Sequence, residues 1–247
     1  LSLRSPRQAK PVNIMSMVEE FSIFSNIYQP FMTAELMIVD GSSLFTLYPI
    51  TGDEYVDIEF SIEAAGFTPL KKSFQVTSIT DIETTKRQRL VKYRLRLVDP
   101  EAYNDWTKLV RKSYANMPTS DMAKKIFEEF LKLETTGNLD FSASEGNRTI
   151  VVPSMTPSEA ISFMARESKS SEYKSSNFVF YSGPDGFHFK TIDEMIAKGK
   201  VKDKYSLREK HKDPLAINAN TNKGHNNSSG KPVEWLYVNS YTIKRNI

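Results

Sequence analysis

Histidine and carboxylate side chains are the groups in this sequence best suited to metal binding or proton transfer, so their spacing is read first. The histidines are His188, His211 and His225. They are widely separated and no two share a metal-ligand spacing, so a zinc centre is not expected. His188 lies between Phe187 and Phe189, and on a strand it projects away from both, which reads as an ordinary surface histidine. His211 and His225 fall in a polar stretch and read the same way. The chain has no cysteine, which removes disulfides and thiolate metal or redox sites.

Paired carboxylates could hydrolyse glycosidic bonds, and partners distant in sequence can meet in space. The visible acids do not suggest it. Asp57 and Glu59 alternate with apolar residues on a strand face, Glu128 and Glu129 lie on a polar helix face, and Asp193 and Glu194 follow a strand. There is no nucleophile elbow, Walker loop, dinucleotide fingerprint or calcium loop. The sequons at Asn147 and Asn227 lack a secretory context and carry no weight. The residues therefore point away from an enzyme, with no catalytic residue, cofactor or metal expected.

At 247 residues, 39% hydrophobic and 26% charged, the chain is globular in composition, and no apolar run reaches the roughly 20 residues that cross a bilayer. Its net charge of +3 is unevenly spread. Residues 198–247 hold 11 basic and 4 acidic side chains, whereas residues 101–197 hold 11 and 14. The run Lys198, Lys200, Lys202, Lys204, Arg208, Lys210 and Lys212 has few interleaved aromatics and reads as a solvated loop.

The elements that would position any site begin with period-two strands. Val56, Ile58, Phe60 and Ile62 alternate with polar residues over Tyr55 to Glu63, as do Val91, Tyr93, Leu95 and Leu97 over Leu90 to Val98. The acidic outer face of the first is expected to pair with the basic outer face of the second. Further strands are expected at Val18 to Tyr28, Met32 to Asp40 and Phe74 to Thr84, with Asp40-Gly41-Ser42 as a turn and at most a short helical turn over Ser42 to Phe45. Met32 to Val39 is apolar on both faces and should be covered on both sides. So many strands in under 90 residues imply a closed or nearly closed antiparallel sheet.

After Pro100 the period changes. A helix is expected from Asp121 to Leu133, capped by Thr119 or Ser120, with Met122, Ile126, Phe127, Phe130 and Leu133 as its buried stripe. A second begins at the capping box Thr156-Pro157-Ser158-Glu159 and buries Ala160, Ile161, Phe163 and Met164. A hairpin follows, Asn177 to Tyr181 and Phe187 to Lys190, turning over Ser182 to Gly186. Residues 197–232 are polar and read as a linker, and Trp235 to Ile247 as a strand. The chain is expected to continue naturally beyond both given ends.

The stretch Phe24-Ser25-Asn26-Ile27-Tyr28-Gln29-Pro30-Phe31 leading to Glu35-Leu36-Met37-Ile38-Val39-Asp40 resembles the opening strands of baseplate hub proteins of T-even-like contractile-tailed phages. Pro49-Ile50-Thr51-Gly52-Asp53-Glu54 is similar to that family's Gly-acid-Glu turn into a barrel strand. Pro157 to Ala165, with Asn177-Phe178-Val179-Phe180-Tyr181, resembles its helix and following phenylalanine-rich strand. The resemblance implies a β-rich α+β chain: an antiparallel barrel-like tube domain over 1–100, an α+β domain over 101–197, a polar basic linker over 198–233, and the first strand of a second barrel-like domain over 234–247.

It also implies a structural role. Three subunits would form a ring whose six barrel-like domains imitate sixfold symmetry, joining a trimeric membrane-piercing spike to the hexameric tail tube or its initiator. The tape measure protein and baseplate wedge are further implied partners, and DNA would meet the chain only in transit. The location would be the virion baseplate, after assembly in the host cytoplasm, without membrane insertion. No interface residue is assigned. Two other classes stay open: a tail-associated cell-wall hydrolase, and a nucleic-acid or host-surface binding module using the basic loop.

Overall fold

The computed structural model describes residues 1–7, 10–42, 44, 48–60, 70–85, 90–133 and 136–199. Seven strands form one antiparallel sheet: β1 (Ser2–Arg4), β2 (Val12–Asn13), β3 (Val18–Phe24), β4 (Thr33–Asp40), β5 (Tyr55–Phe60), β6 (Leu70–Thr85) and β7 (Leu90–Val98), in the order β2-β1-β5-β6-β7-β4-β3. Laid flat, its outermost strands would stand about 29 Å apart, six spacings of about 4.8 Å. Yet β2 and β3 are joined only by Ile14 and the 3-10 turn Met15–Met17, a reach of at most about 17 Å. The sheet must therefore curl into a barrel-like shape. Among the described residues no ladder joins β2 to β3, so the covalent corner brings the sheet's two ends together.

The inner face is the expected one except at Phe60, which is about half exposed at the end of β5, and Ile62, which lies outside the described residues. Val56, Ile58, Phe74, Val76, Tyr93, Leu95 and Leu97 are buried, with Leu36 and Ile38 from β4 and Ile14 from the corner. Burying each such side chain contributes about 1.5 to 3 kcal/mol. On the other face of β4, Met37 is buried as well. Two expectations are corrected, the first by sheet order and the second by a local turn. β6 separates β5 from β7, so their charged faces cannot meet. Asp57 instead pairs with Arg4 at 3.2 Å, and Glu59 with Lys71 at 2.7 Å. β3 ends at Phe24 because Asn26 turns the chain, its Oδ1 accepting from the Tyr28 N–H.

The second core is built by α1 (Glu101–Thr107), β8 (Val110–Met117), α2 (Thr119–Ile126), β9 (Asn138–Phe141), β10 (Arg148–Met155), α3 (Pro157–Glu167), β11 (Phe178–Gly183), β12 (Gly186–Thr191) and α4 (Ile192–Lys198). β8 and β10 form a ribbon, while β12 lies between antiparallel β11 and parallel β9. Phe141, Phe178, Phe180, Phe187 and Phe189 form stacked pairs at its centre, with Phe127 tilted against Phe187. The capping box forms as expected, with the Glu159 N–H donating to Thr156 Oγ1 and the Thr156 N–H to Glu159 Oε2.

The preceding helix departs from expectation. Neither Thr119 nor Ser120 caps it: Pro118 holds the cap position, Thr119 Oγ1 lies 2.7 Å from Ser168 Oγ, and Ser120 Oγ meets Ser144. Its last turn widens into a π turn, Phe127–Leu131, closed by the Lys132 N–H on the Phe127 carbonyl. That turn puts Leu131 in the core and leaves Phe130 and Leu133 only partly buried. The hairpin turn tightens to Pro184 and Asp185. The expected turn over Ser42 to Phe45 falls largely outside the described residues, as do the linker, His211, His225 and the strand at 234–247.

Candidate assembly surface

The expected candidates for chemistry are dispersed. Glu128 and Asp193 are exposed, and Glu129 pairs with Lys112 at 2.6 Å. Glu194 is buried at the start of α4, taking hydrogen bonds from Ser142 Oγ at 2.5 Å and Lys198 Nζ at 2.8 Å. Burial alone would raise its carboxyl, but Lys198 and Ser142 outweigh burial and hold it below the ordinary value. His188 corrects the surface reading, since only 6% of it is exposed. It does project opposite the two phenylalanines, but Tyr181 stacks on its ring at 4.9 Å and Asp185 Oδ1 lies 2.9 Å from Nε2. Lys198 begins the basic run, whose other members lie outside the described residues. Among the described residues no group of three or more His, Asp or Glu is placed to hold a metal ion, and no helix is long and apolar enough to cross a membrane.

Buried charge gathers instead where the two cores meet. β6 continues past the end of β7, and there Lys72 Nζ sits 2.9 Å from Asp99 Oδ1, an ion-pair contact off the hydrogen-bonding axis. The same ammonium donates to Ser182 Oγ at 2.9 Å and to the Gly183 carbonyl at 3.0 Å, on the β11-β12 hairpin. Asp99 is fully buried and its Oδ2 accepts from the Met32 N–H at 2.7 Å. Nearby, burial pushes the Glu101 carboxyl up despite a hydrogen bond from Thr136. Asp105, also raised by burial, accepts from both the N–H and Oγ of Ser158 and so adds a second cap to α3. These acids brace elements.

The Gly-acid-Glu turn is likewise a brace. Buried Glu54 accepts from the Thr51 and Gly52 N–H groups at 2.8 and 2.9 Å, and Tyr103 and Gln75 both donate to the Gly52 carbonyl. Gly52 has φ +103°, a conformation that favours glycine there.

What the barrel leaves unsatisfied is backbone. Among the described residues β3 pairs only with β4. β5 pairs with β6 only from Leu70 to Gln75, so beyond Val76 the rest of β6 pairs only with β7 among the described residues. Among the described residues the section β6-β7-β4-β3 thus has two open edges of comparable length. Exposed apolar side chains stand at them: Ile82 on β6, Phe24 on β3, and Met15 and Tyr28 just beyond the ends of β3.

The outer face of this section is charged and mutually paired. Lys92 meets Glu19 at 2.5 Å, while Arg94 bridges Glu35 and Asp81, both at 2.8 Å. Arg96 lies 3.6 Å from Glu35. Glu19 holds the Lys92 ammonium above its ordinary value. Asp81 reaches Arg94 from an irregularity in β6, where the register shifts and its own φ is +54°. Sequence reading found the three cations of β7 but not their partners, because β3, β4 and β6 are brought beside β7 only by the fold.

No family model matches this sequence, and no curated protein does. Similar solved structures are tail and secretion proteins. A tail protein of Neisseria meningitidis is 16% identical with a TM-score of 0.47, 76% of this chain covering 49% of that one. The 43 kDa tail protein of prophage MuSo2 from Shewanella oneidensis is 8% identical with a TM-score of 0.43, at 76% and 53% coverage. A component of the E. coli type VI secretion system, described as similar to the T4 tail proteins gp27 and gp5, is 14% identical with a TM-score of 0.46, at 76% and 48% coverage. The chain therefore spans about half the length of each.

Proposed function

We propose that this chain is a structural subunit of a phage tail baseplate hub, without catalytic activity, in which barrel-like sections pair edge to edge in a ring between a trimeric spike and a hexameric tail tube. The observation that carries this reading is the pair of open edges. Every neighbour in β6-β7-β4-β3 is antiparallel, so β3 and β6 run in opposite directions. An equivalent section placed alongside by rotation sets a β3-type edge against a β6-type edge, and the antiparallel alternation continues unbroken. Such head-to-tail contacts close when the rotation permits, and open strand edges are templates for this pairing. The motif resemblance supplies the rest: three subunits with two barrel-like sections each, the second beginning near residue 234, and the virion as location.

Phe24→Lys and Ile82→Lys test the edges. Both side chains are about half exposed, so each substitution should change the protomer's stability by no more than about 0.5 kcal/mol. Charge on an open edge opposes strand pairing, and the double variant is expected to remain a protomer by light scattering where the wild type assembles. Assembly equal to wild type would remove these edges from the contact.

A further inference from the structure

We propose that the outer edge of β9 takes up an extended segment of a partner protein, added antiparallel beside Leu139 and Phe141, with a lysine or arginine of that segment set against Glu172. The inference goes beyond the hub reading and does not rest on it.

β9 is a short strand at the rim of its sheet, and the direction of its backbone groups follows from two bonds. The Asn138 N–H donates to the Asp185 carbonyl at 3.2 Å and the Ser142 N–H to the Phe189 carbonyl at 2.9 Å. In a parallel ladder alternate residues serve the neighbouring strand, so Asn138, Asp140 and Ser142 face β12 while Leu139, Phe141 and Ala143 face away. Just past β9 that outer edge is already a template. The Ser171 N–H donates to the Ala143 carbonyl at 3.2 Å and the Glu145 N–H to the Lys169 carbonyl at 2.7 Å, flanking an antiparallel bridge between Ser144 and Ser170. The chain then turns away at Glu172, with the Ser170 N–H closing on the Ser175 carbonyl at 2.7 Å. Among the described residues no strand pairs with the outward N–H and C=O groups of Leu139 and Phe141.

In its place lies a cleft of about 260 Å³, bounded by β9, residues 170–172 and α4. Open edges pair with strands that reach them, and natural edges are usually blunted. β10 shows such blunting, since its register breaks twice and Pro153 sits in the second break. β9 has only its shortness, and the bridge beside it prolongs the edge. A strand continuing the row of residues 169–171 fills the cleft and meets β9 antiparallel over about three residues, or about 10 Å. Its backbone supplies affinity and its alternate side chains supply specificity. One set faces Leu139 and Phe141, which pack partly buried against the second core, and suits a β-branched apolar residue. The other set faces the polar side under α4. There Lys190 holds Asp140, while Lys198 and Ser142 hold Glu194. Glu172 is exposed and forms no ion pair among the described residues, so the charge left for a partner is negative and selects a cation.

The test is backbone amide exchange by NMR on the full chain, alone and with capped short peptides that alternate valine with lysine, glutamate or serine. Alone, the Leu139 and Phe141 amides are expected to exchange far faster than those of Asn138 and Ser142, which are bonded to β12. The valine-lysine peptide at millimolar concentration should slow Leu139 and Phe141 by about tenfold, and the same peptide methylated on alternate amide nitrogens should not. Glu172→Gln should weaken the lysine peptide about two- to fivefold at low salt and leave the serine peptide unchanged. Slow exchange at Leu139 and Phe141 in the free protein, or protection that grows with protein concentration alone, would mean that the chain or a second copy already covers the edge, and would overturn the proposal. So would millimolar peptides that leave both amides unprotected, or a glutamate peptide that binds as well as the lysine one. The readout is local to β9, so failure here and failure of ring formation give different results.

Discussion

Gly186→Ala is expected to unfold the second core under conditions in which the wild type is stable, with a loss of at least about 4 kcal/mol. A Cβ at this position would lie 2.1 Å from the Asn138 carbonyl oxygen and 2.6 Å from its nitrogen. Both are backbone atoms of β9, paired in parallel with β12, so no side-chain rotation relieves the overlap. Opening that pair moves Phe141 from its stack on Phe189 at 5.5 Å. The φ of +140° adds strain of its own for any residue with a side chain. Gly146 separates the two effects, since its φ is +77° with nothing within 4 Å of an added Cβ. Gly146→Ala should therefore cost only about 1 to 2 kcal/mol. Urea unfolding of the two variants measures the difference, and equal losses would mean that strand proximity at Gly186 is not the controlling contact.

Lys72→Met should cost about 3 to 5 kcal/mol, because it leaves the Asp99 carboxylate buried without its cation. Part of that loss should return in Lys72→Met/Asp99→Asn, where the amide oxygen still accepts from the Met32 N–H but no charge is stranded. A double-mutant cycle gives the coupling directly. Tm is expected to fall by roughly 10 °C in the single variant and by clearly less in the double. Losses that simply add would show that the two side chains do not act as a pair. Since Lys72 also holds Ser182 and the Gly183 carbonyl, hydrogen exchange at the β11-β12 turn should rise with the substitution.

The barrel was legible in the sequence where one face is buried and the other is wet. β5 and β7 alternate cleanly, and their inward residues form the core apart from Phe60, which is left exposed where β5 ends. The capping box of α3 was legible because its signal is contained in four consecutive residues. β8 and β10 were not anticipated, since a ribbon that buries only Val110, Tyr114 and Val152 fully leaves too few apolar positions to show a period. β9 is a four-residue strand whose partner lies 48 positions away. The π turn shifted the buried stripe from Leu133 to Leu131, and nothing in a 3.6-residue pattern announces such a turn. His188 read as exposed because its cover comes from Tyr181 and Asp185, folded over it by a turn shorter than expected. The charges that matter most, Lys72 with Asp99 and Arg94 with Glu35 and Asp81, join residues 13 to 59 positions apart. Sequence supplies such groups but not their pairing, and the open edges are defined only by where neighbouring strands stop.

The measurement closest to the central claim is the mass and symmetry of the particles formed by the full-length protein, with both barrel-like sections, by light scattering and then by class averages of single particles. A ring with threefold symmetry and a pseudo-sixfold channel is the predicted result. A monomer that stays monomeric when mixed with a trimeric spike protein would contradict the hub reading and return attention to the acids and the basic loop.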